Sequence, residues 1–111
     1  MAIRPGKYYV DTTMRIEAIF TDDSGAYVDP TTVTFTTMSP ARAETAYVYG
    51  TDSAMQRLSA GRYAADIVPD ESGRWHYKWT TTGTGKAIVM EDDFLIQYSV
   101  FEDEDDVGYA L

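Results

Sequence analysis

Hydrophobic and polar residues alternate most strictly between Arg74 and Thr81. Trp75, Tyr77 and Trp79 recur there at period two, with charged residues between them. This alternation is typical of a β-strand with one buried and one solvated face. Three large rings on one side of a single strand predict that this strand supplies the centre of the core. The acidic, glycine-containing segment before it, 70–73, predicts a sharp reversal of the chain.

Several other segments have strand-like patterns and are separated by turns rich in glycine, proline or acidic residues. The clearest is 13–20, where Met14, Ile16 and Ala18 alternate with charged residues. The remaining strands are expected within 32–38, 44–49, 55–58, 62–68 and 86–100. No segment has a helical period with caps. Turns at intervals of about 8 to 12 residues therefore predict an all-β fold, an immunoglobulin-like antiparallel β-sandwich of about seven strands.

The sequence has no cysteine, so no disulfide can join the two sheets of this sandwich. Packing of the three rings in 75–79 is expected to hold the sheets together instead. A chain of 111 residues is long enough for one such domain. We expect an N-terminal arm or edge strand over 1–12, the sandwich over 13–101 and an acidic C-terminal tail over 102–111.

The charge balance bears on possible partners. The chain has 18 Asp and Glu against 9 Lys and Arg, a net charge of −9. An acidic surface repels phosphate, so nucleic acid is not an expected partner. The sequence has neither the apolar stretch of a signal peptide nor a run of about 18 apolar residues that could span a membrane. We expect a soluble protein that is made in the cytoplasm and has no membrane partner.

No residue pattern predicts catalysis or a cofactor. His76 is the only histidine and lies on the polar face of its strand, without a neighbouring group for acid–base work. Serine nucleophile elbows, phosphate-binding loops and zinc-ligand spacings are absent. Acids in the turns, at 22–23, 29, 70–71 and 91–93, could bind Ca²⁺, but solvated turns explain them better. We therefore predict that the protein is not an enzyme and needs no metal.

Tyrosines and the two ends of the chain are the best candidates for partner contacts. Nine tyrosines fit either an interface or simple β propensity, and the sequence does not separate the two. Five consecutive acids in the tail, followed by apolar residues, suit a basic groove on a neighbouring subunit. The residues expected to contact partners are Arg4, Lys7, Tyr8, Tyr9, Glu102, Asp103, Glu104, Asp105, Asp106, Tyr109 and Leu111.

Several motifs together give the chain a family resemblance that covers about residues 13–100. They include the strand 14–20 with its turn 21–25 and the aromatic strand that follows Gly73. The other matching segments are 29–35, 49–52, 59–63 and 82–85. With these motifs the chain resembles the small immunoglobulin-like proteins encoded among the virion structural genes of tailed bacteriophages.

The resemblance implies a non-enzymatic accessory part of the virus particle. Such a protein would decorate the head or belong to the neck, the head–tail connector, and its partners would be capsid, portal or connector subunits and copies of itself. Its location would be the virion. The alternative is a phage or bacterial adhesion module that binds host-surface carbohydrate through exposed tyrosines, with Tyr47 and Tyr49 as the expected contacts.

Overall fold

The computed structural model describes residues 7–83 and 89–97, except for the side chains of Lys7 and Val89. The chain in these ranges forms strands and connecting turns, with no helix. The strands are β1 (Lys7–Tyr9), β2 (Met14–Ile19), β3 (Thr32–Met38), β4 (Glu44–Val48), β5 (Met55–Ser59), β6 (Arg62–Ile67), β7 (Gly73–Thr82) and β8 (Val89–Gln97). The all-β prediction is therefore confirmed.

The strands form two sheets that pack face to face. The large sheet has five strands in the order β1-β8-β7-β3-β4, and the small sheet has three in the order β2-β6-β5. If β2 to β8 are labelled B, C, C′, D, E, F and G, the small sheet has the order B-E-D and the large sheet contains G-F-C-C′. This is the strand order of an immunoglobulin-like sandwich.

One pair departs from the purely antiparallel arrangement that the sequence predicts. β1 runs parallel to β8, with Lys7 opposite Leu95 and Tyr9 opposite Gln97. Parallel neighbours need a long crossover connection, and here the rest of the sandwich provides it. The described residues thus contain eight strands, against the seven or so expected.

Alternation along the strands builds the core. On β2 the buried residues are Met14, Ile16 and Ala18, and the residues between them are exposed. The same period places every second residue of β3 and β6 between the sheets. The core also contains the buried side chains of Phe20, Val33, Phe35, Met55, Tyr63, Ile67, Trp75, Trp79, Phe94 and Ile96.

The three rings of β7 lie on the inner face, as predicted, but they have different roles. Trp79 packs against Phe20, which directly follows β2, with ring centroids 6.2 Å apart, and so joins the two sheets. Trp75 stacks on Phe94 of the neighbouring strand β8 at 6.2 Å. Tyr77 is only half-buried. The contact that replaces an intersheet disulfide is therefore centred on Trp79.

Candidate docking surfaces

The N-terminal residues predicted to bind partners form the edge of the large sheet. Tyr8 is half-buried and packs against the core, whereas Tyr9 is exposed. Lys7 pairs through its backbone with Leu95 of β8. The other predicted contact residues lie outside the described residues and stay predictions: Arg4, Glu102, Asp103, Glu104, Asp105, Asp106, Tyr109 and Leu111.

The outer face of the large sheet is a polar strand surface. Strand alternation places Arg74, His76 and Lys78 of β7 there, all of them exposed. His76 lies opposite Met38 of β3 on one side and Asp93 of β8 on the other. Arg74 donates a hydrogen bond from Nη1 to Asp93 Oδ1 at 2.9 Å. Cations of the central strand are thus flanked by acids on the strand beside it.

This outer face has only a shallow depression. Its volume is about 150 Å³, and Thr36, His76, Lys78 and Glu91 contribute to its lining. Among the described residues the side chain of His76 has no hydrogen-bond partner, and Asp93 lies opposite it on β8. The surface suits contact with another flat surface better than enclosure of a small substrate.

The outer face of the small sheet is braced by its own side chains. Arg15 of β2 binds both carboxylate oxygens of Asp66 of β6, at 2.8 and 2.9 Å. Gln56 of β5 donates to Asp66 at 2.6 Å and accepts from Arg15 at 3.1 Å. The guanidinium of Arg15 holds the pKa of Asp66 below its ordinary value. This network links all three strands of the small sheet.

Asp29 connects three parts of the chain at one end of the sandwich. Its carboxylate accepts hydrogen bonds from Arg57 Nε and Nη2 at 3.1 and 2.9 Å. It also accepts from the backbone N–H of Gly61 at 2.9 Å and from the Tyr63 hydroxyl at 3.0 Å. These donors, chiefly Arg57, hold the pKa of Asp29 far below its ordinary value. Asp29 and its three donor residues therefore form a hub that ties the loop before β3 to the β5–β6 hairpin.

The acids considered for Ca²⁺ form no metal cluster in the part of the chain that the structure describes. No group of three or more His, Cys, Asp or Glu side chains converges there. Asp22 instead accepts hydrogen bonds from Ser24 and from the backbone N–H of Ala26 at 2.7–3.1 Å, which fixes the turn. Asp29 is the hub just described.

The tyrosines differ more than the sequence suggests. Tyr47 packs on Phe35, with ring centroids 6.3 Å apart, and is half-buried. Its expected place on the exposed surface is therefore wrong, because β4 directs it towards the core. Tyr49 is 41% exposed and contacts the ring of Tyr63 edge-on at 5.3 Å. Tyr27 is 58% exposed.

Sequence reasoning missed the two side-chain networks. Alternation places Arg15 and Asp66 on outer faces, but their contact depends on the register of β2 with β6. Asp29 precedes a proline and therefore resembles an ordinary turn residue. Its partners are 28 to 34 residues away in sequence. No local pattern reports such distant pairing.

The fold and these surfaces define the class, an immunoglobulin-like β-sandwich whose buried and networked side chains brace the domain itself. No family model matches the chain, and no curated protein sequence or solved structure matches it at a significant level. Among the described residues no helix is long and apolar enough to cross a membrane.

Proposed function

We propose that this protein is a non-enzymatic structural component of a tailed-phage virion, docking on the head or the head–tail neck. The outer face of the large sheet and the terminal arms would provide the contacts. Its partners would be capsid, portal or connector subunits and further copies of the same chain.

The exposed outer face of the large sheet is the observation that supports this proposal most. On this face charged residues of both signs stand in register across β7 and β8. Opposite charges arranged in this way favour a specific orientation on a complementary protein surface. A stable contact needs about 800 Å² per partner, for which one sheet face supplemented by arms is a suitable size.

The position of β1 adds to the argument. β1 lies at the edge of the same sheet, so its residues border the proposed docking face. Tyr9 is exposed at this edge and combines a large ring with a polar hydroxyl, which is typical of interface residues. Face and arm could therefore contact one partner together.

Incorporation into particles tests the proposal. We expect the full chain to copurify with virions, and removal of residues 102–111 or the change Lys78→Glu to reduce its copy number at least severalfold. The matched control is Arg62→Glu, which reverses a charge on the outer face of the small sheet and should leave incorporation unchanged. Each variant sets a like charge beside an acid, Lys78→Glu opposite Glu91 and Arg62→Glu beside Glu17, so both should lose a similar small amount of stability, up to about 1 kcal/mol. A chain absent from purified particles would overturn the proposal.

Exposure of Tyr49 and Tyr27 favours a second candidate, a carbohydrate-binding adhesion module. Aromatic rings that reach solvent can stack on sugars, and Tyr49 is held in place by its contact with Tyr63. A glycan array separates the two functions. Saturable binding that is lost in Tyr49→Ala and kept in Tyr47→Phe would support adhesion over virion assembly.

A further inference from the structure

One edge of the small sheet is unpaired in the part of the chain that the structure describes. β2 is the last strand of that sheet and pairs only with β6. The backbone N–H of Phe20 bonds Gly61, and bonding alternates along an antiparallel pair. The backbone N–H and C=O groups of Arg15, Glu17 and Ile19 therefore point away from β6.

A lateral groove runs beside this edge, between β2 and the inner face of the large sheet. It consists of two cavities of about 330 and 250 Å³, which share Glu17 and Tyr77 in their linings. Trp79 and Met90 line one end, and Phe94 lines the other. The groove thus has an unpaired strand edge as one wall and aromatic and apolar side chains along its floor.

An acid at an inward position marks the groove as open to solvent. Asp92 lies opposite Tyr77 on β8, at a strand position whose neighbours Met90 and Phe94 face the core, and yet it is exposed. Asp92 lines the groove and, among the described residues, forms no ion pair, whereas strand alternation directs the side chain of Glu91, opposite Lys78, to the outer face. The groove therefore has negative charge available for a cationic partner.

The buried indole of Trp79 is a second sign of incomplete pairing. Trp79 is 1% exposed, and its Nε1 donor has no hydrogen-bond partner among the described residues. A buried donor without a partner costs free energy, so few native side chains are left in this state. Its side chain contributes to the lining of the groove.

We propose that the lateral groove binds an extended polypeptide segment of another protein, which adds as a strand to β2. Every second side chain of the segment would point to the floor, and these would be apolar except for one lysine or arginine facing Asp92. Backbone hydrogen bonds to Arg15, Glu17 and Ile19 would supply affinity, and the floor would select side chains. This inference goes beyond the proposed function, because such a groove would serve a partner in any assembly.

The length of the edge fits this kind of partner. β2 has 6 residues, a common length for a strand in globular proteins. A sugar or a folded surface would use the aromatic floor but would leave the row of backbone groups unpaired. An extended peptide satisfies both.

Hydrogen exchange and tryptophan fluorescence test the proposal with a set of synthetic peptides that have valine, isoleucine or threonine at every second position and a lysine at one of these positions. In the free protein the amides of Arg15, Glu17 and Ile19 should exchange rapidly. A bound peptide should slow their exchange at least about tenfold and shift the emission of Trp79 in a Trp75→Phe background. A peptide methylated on alternate backbone nitrogens should bind at least about tenfold more weakly, because it loses those hydrogen bonds.

Glu17→Pro is the sharpest variant of the protein. The N–H of Glu17 faces away from β6, so proline at this edge-strand position breaks no hydrogen bond within the sheet. The substitution should abolish peptide binding because it removes a donor to the added strand. Glu17→Gln, the matched control, keeps the N–H and should bind. If Glu17→Pro fails to fold, binding of the methylated peptide to the unaltered protein still tests strand addition.

Four results would overturn the inference. Protection of the three amides in dilute free protein would show that the chain fills its own groove. Protection that rises with protein concentration alone would identify a second copy as the occupant. Equal binding of the methylated peptide would exclude strand addition, and failure of every peptide in the set to bind would exclude the partner chemistry.

Discussion

Trp79 and Tyr77 lie two residues apart on the same side of β7, but their surroundings differ. Trp79 is 1% exposed and is covered by Phe20 of the opposite layer and by Phe35 at 4.8 Å. Tyr77 contacts Phe35 at 5.5 Å and Phe94 at 6.0 Å, both from its own sheet. Trp79 is enclosed with Phe20 and Phe35 at a closed end of the sandwich, where it forms one end of the lateral groove, whereas Tyr77 lies along the middle of the groove and is partly exposed.

The difference follows from the number of strands in each layer. Neighbouring strands are about 4.8 Å apart, so a three-stranded sheet is about 10 Å narrower than a five-stranded one. It cannot cover the whole inner face of the large sheet, and Tyr77 lines the lateral groove that is left beside β2. Burial and the charges of Asp92 and Asp93 raise the pKa of the Tyr77 hydroxyl. An inward position in the sequence pattern therefore shows which face of the sheet a side chain lies on, but not how deeply that side chain is buried.

Alanine substitutions at Trp79 and Tyr77 should give the largest difference in stability between the two positions. Trp79→Ala removes the ring that joins the layers and should lower the free energy of unfolding by about 3–5 kcal/mol. Tyr77→Ala should lower it by only about 1–2 kcal/mol, because part of the ring is already solvated. Urea denaturation measures both values. Equal losses would show that the groove is closed in solution.

Much of the fold was predictable because it depends on local alternation. The expected strand 32–38 coincides with β3, and 13–20 contains β2. The inner positions of Trp75 and Trp79 follow from period two alone. The two-layer architecture then follows from packing amphipathic strands around one core.

The sequence could not predict the features that depend on distant pairing. The parallel contact of β1 with β8 joins residues 88 positions apart in the chain. The Asp29 hub and the unpaired edge of β2 likewise depend on which strands become neighbours. In the sequence Asp92 interrupts the apolar positions of β8. Only the structure, in which it is exposed beside Tyr77, shows that this position is open to solvent.

Gly61 lies at the closed end of the sandwich and tests how tightly the chain packs there. Its φ is +72°, and a Cβ there would lie 2.7 Å from the carbonyl oxygen of Phe20. Gly61→Ala should therefore lower the free energy of unfolding by about 1–3 kcal/mol, from the strained φ and the close contact together. Gly25→Ala is the matched control, since Gly25 has φ +87° but open space around it. The control should cost only about 1 kcal/mol, and equal losses in thermal denaturation would rule out the contact.

Asp29 stabilises the same closed end in a pH-dependent way. Its folded-state pKa is lowered by Arg57 and the other donors, so its contribution is complete above the unfolded value of about 3.9 and is lost as the pH falls towards the folded value. Asp29→Asn should be less stable than the unaltered protein at pH 7, and the difference should shrink below about pH 4. Denaturation at several pH values measures this. Asp70→Asn, at an exposed turn, should show little difference, and a constant gap for Asp29→Asn would contradict the assignment.

A substitution at Thr81 should have the smallest effect on the free energy of unfolding, and it should stabilise the protein. Its side chain is fully buried beyond Trp79 on β7, and its hydroxyl has no hydrogen-bond partner among the described residues. Valine has nearly the same shape without the polar atom, so Thr81→Val should raise the free energy of unfolding by about 1 kcal/mol. Thr80→Val, at a half-exposed position on the outer face, is the control and should change it by less than about 0.5 kcal/mol. If Thr81→Val destabilised the protein instead, its hydroxyl would have a partner in solution, and the closed end would be less dry than its packing indicates.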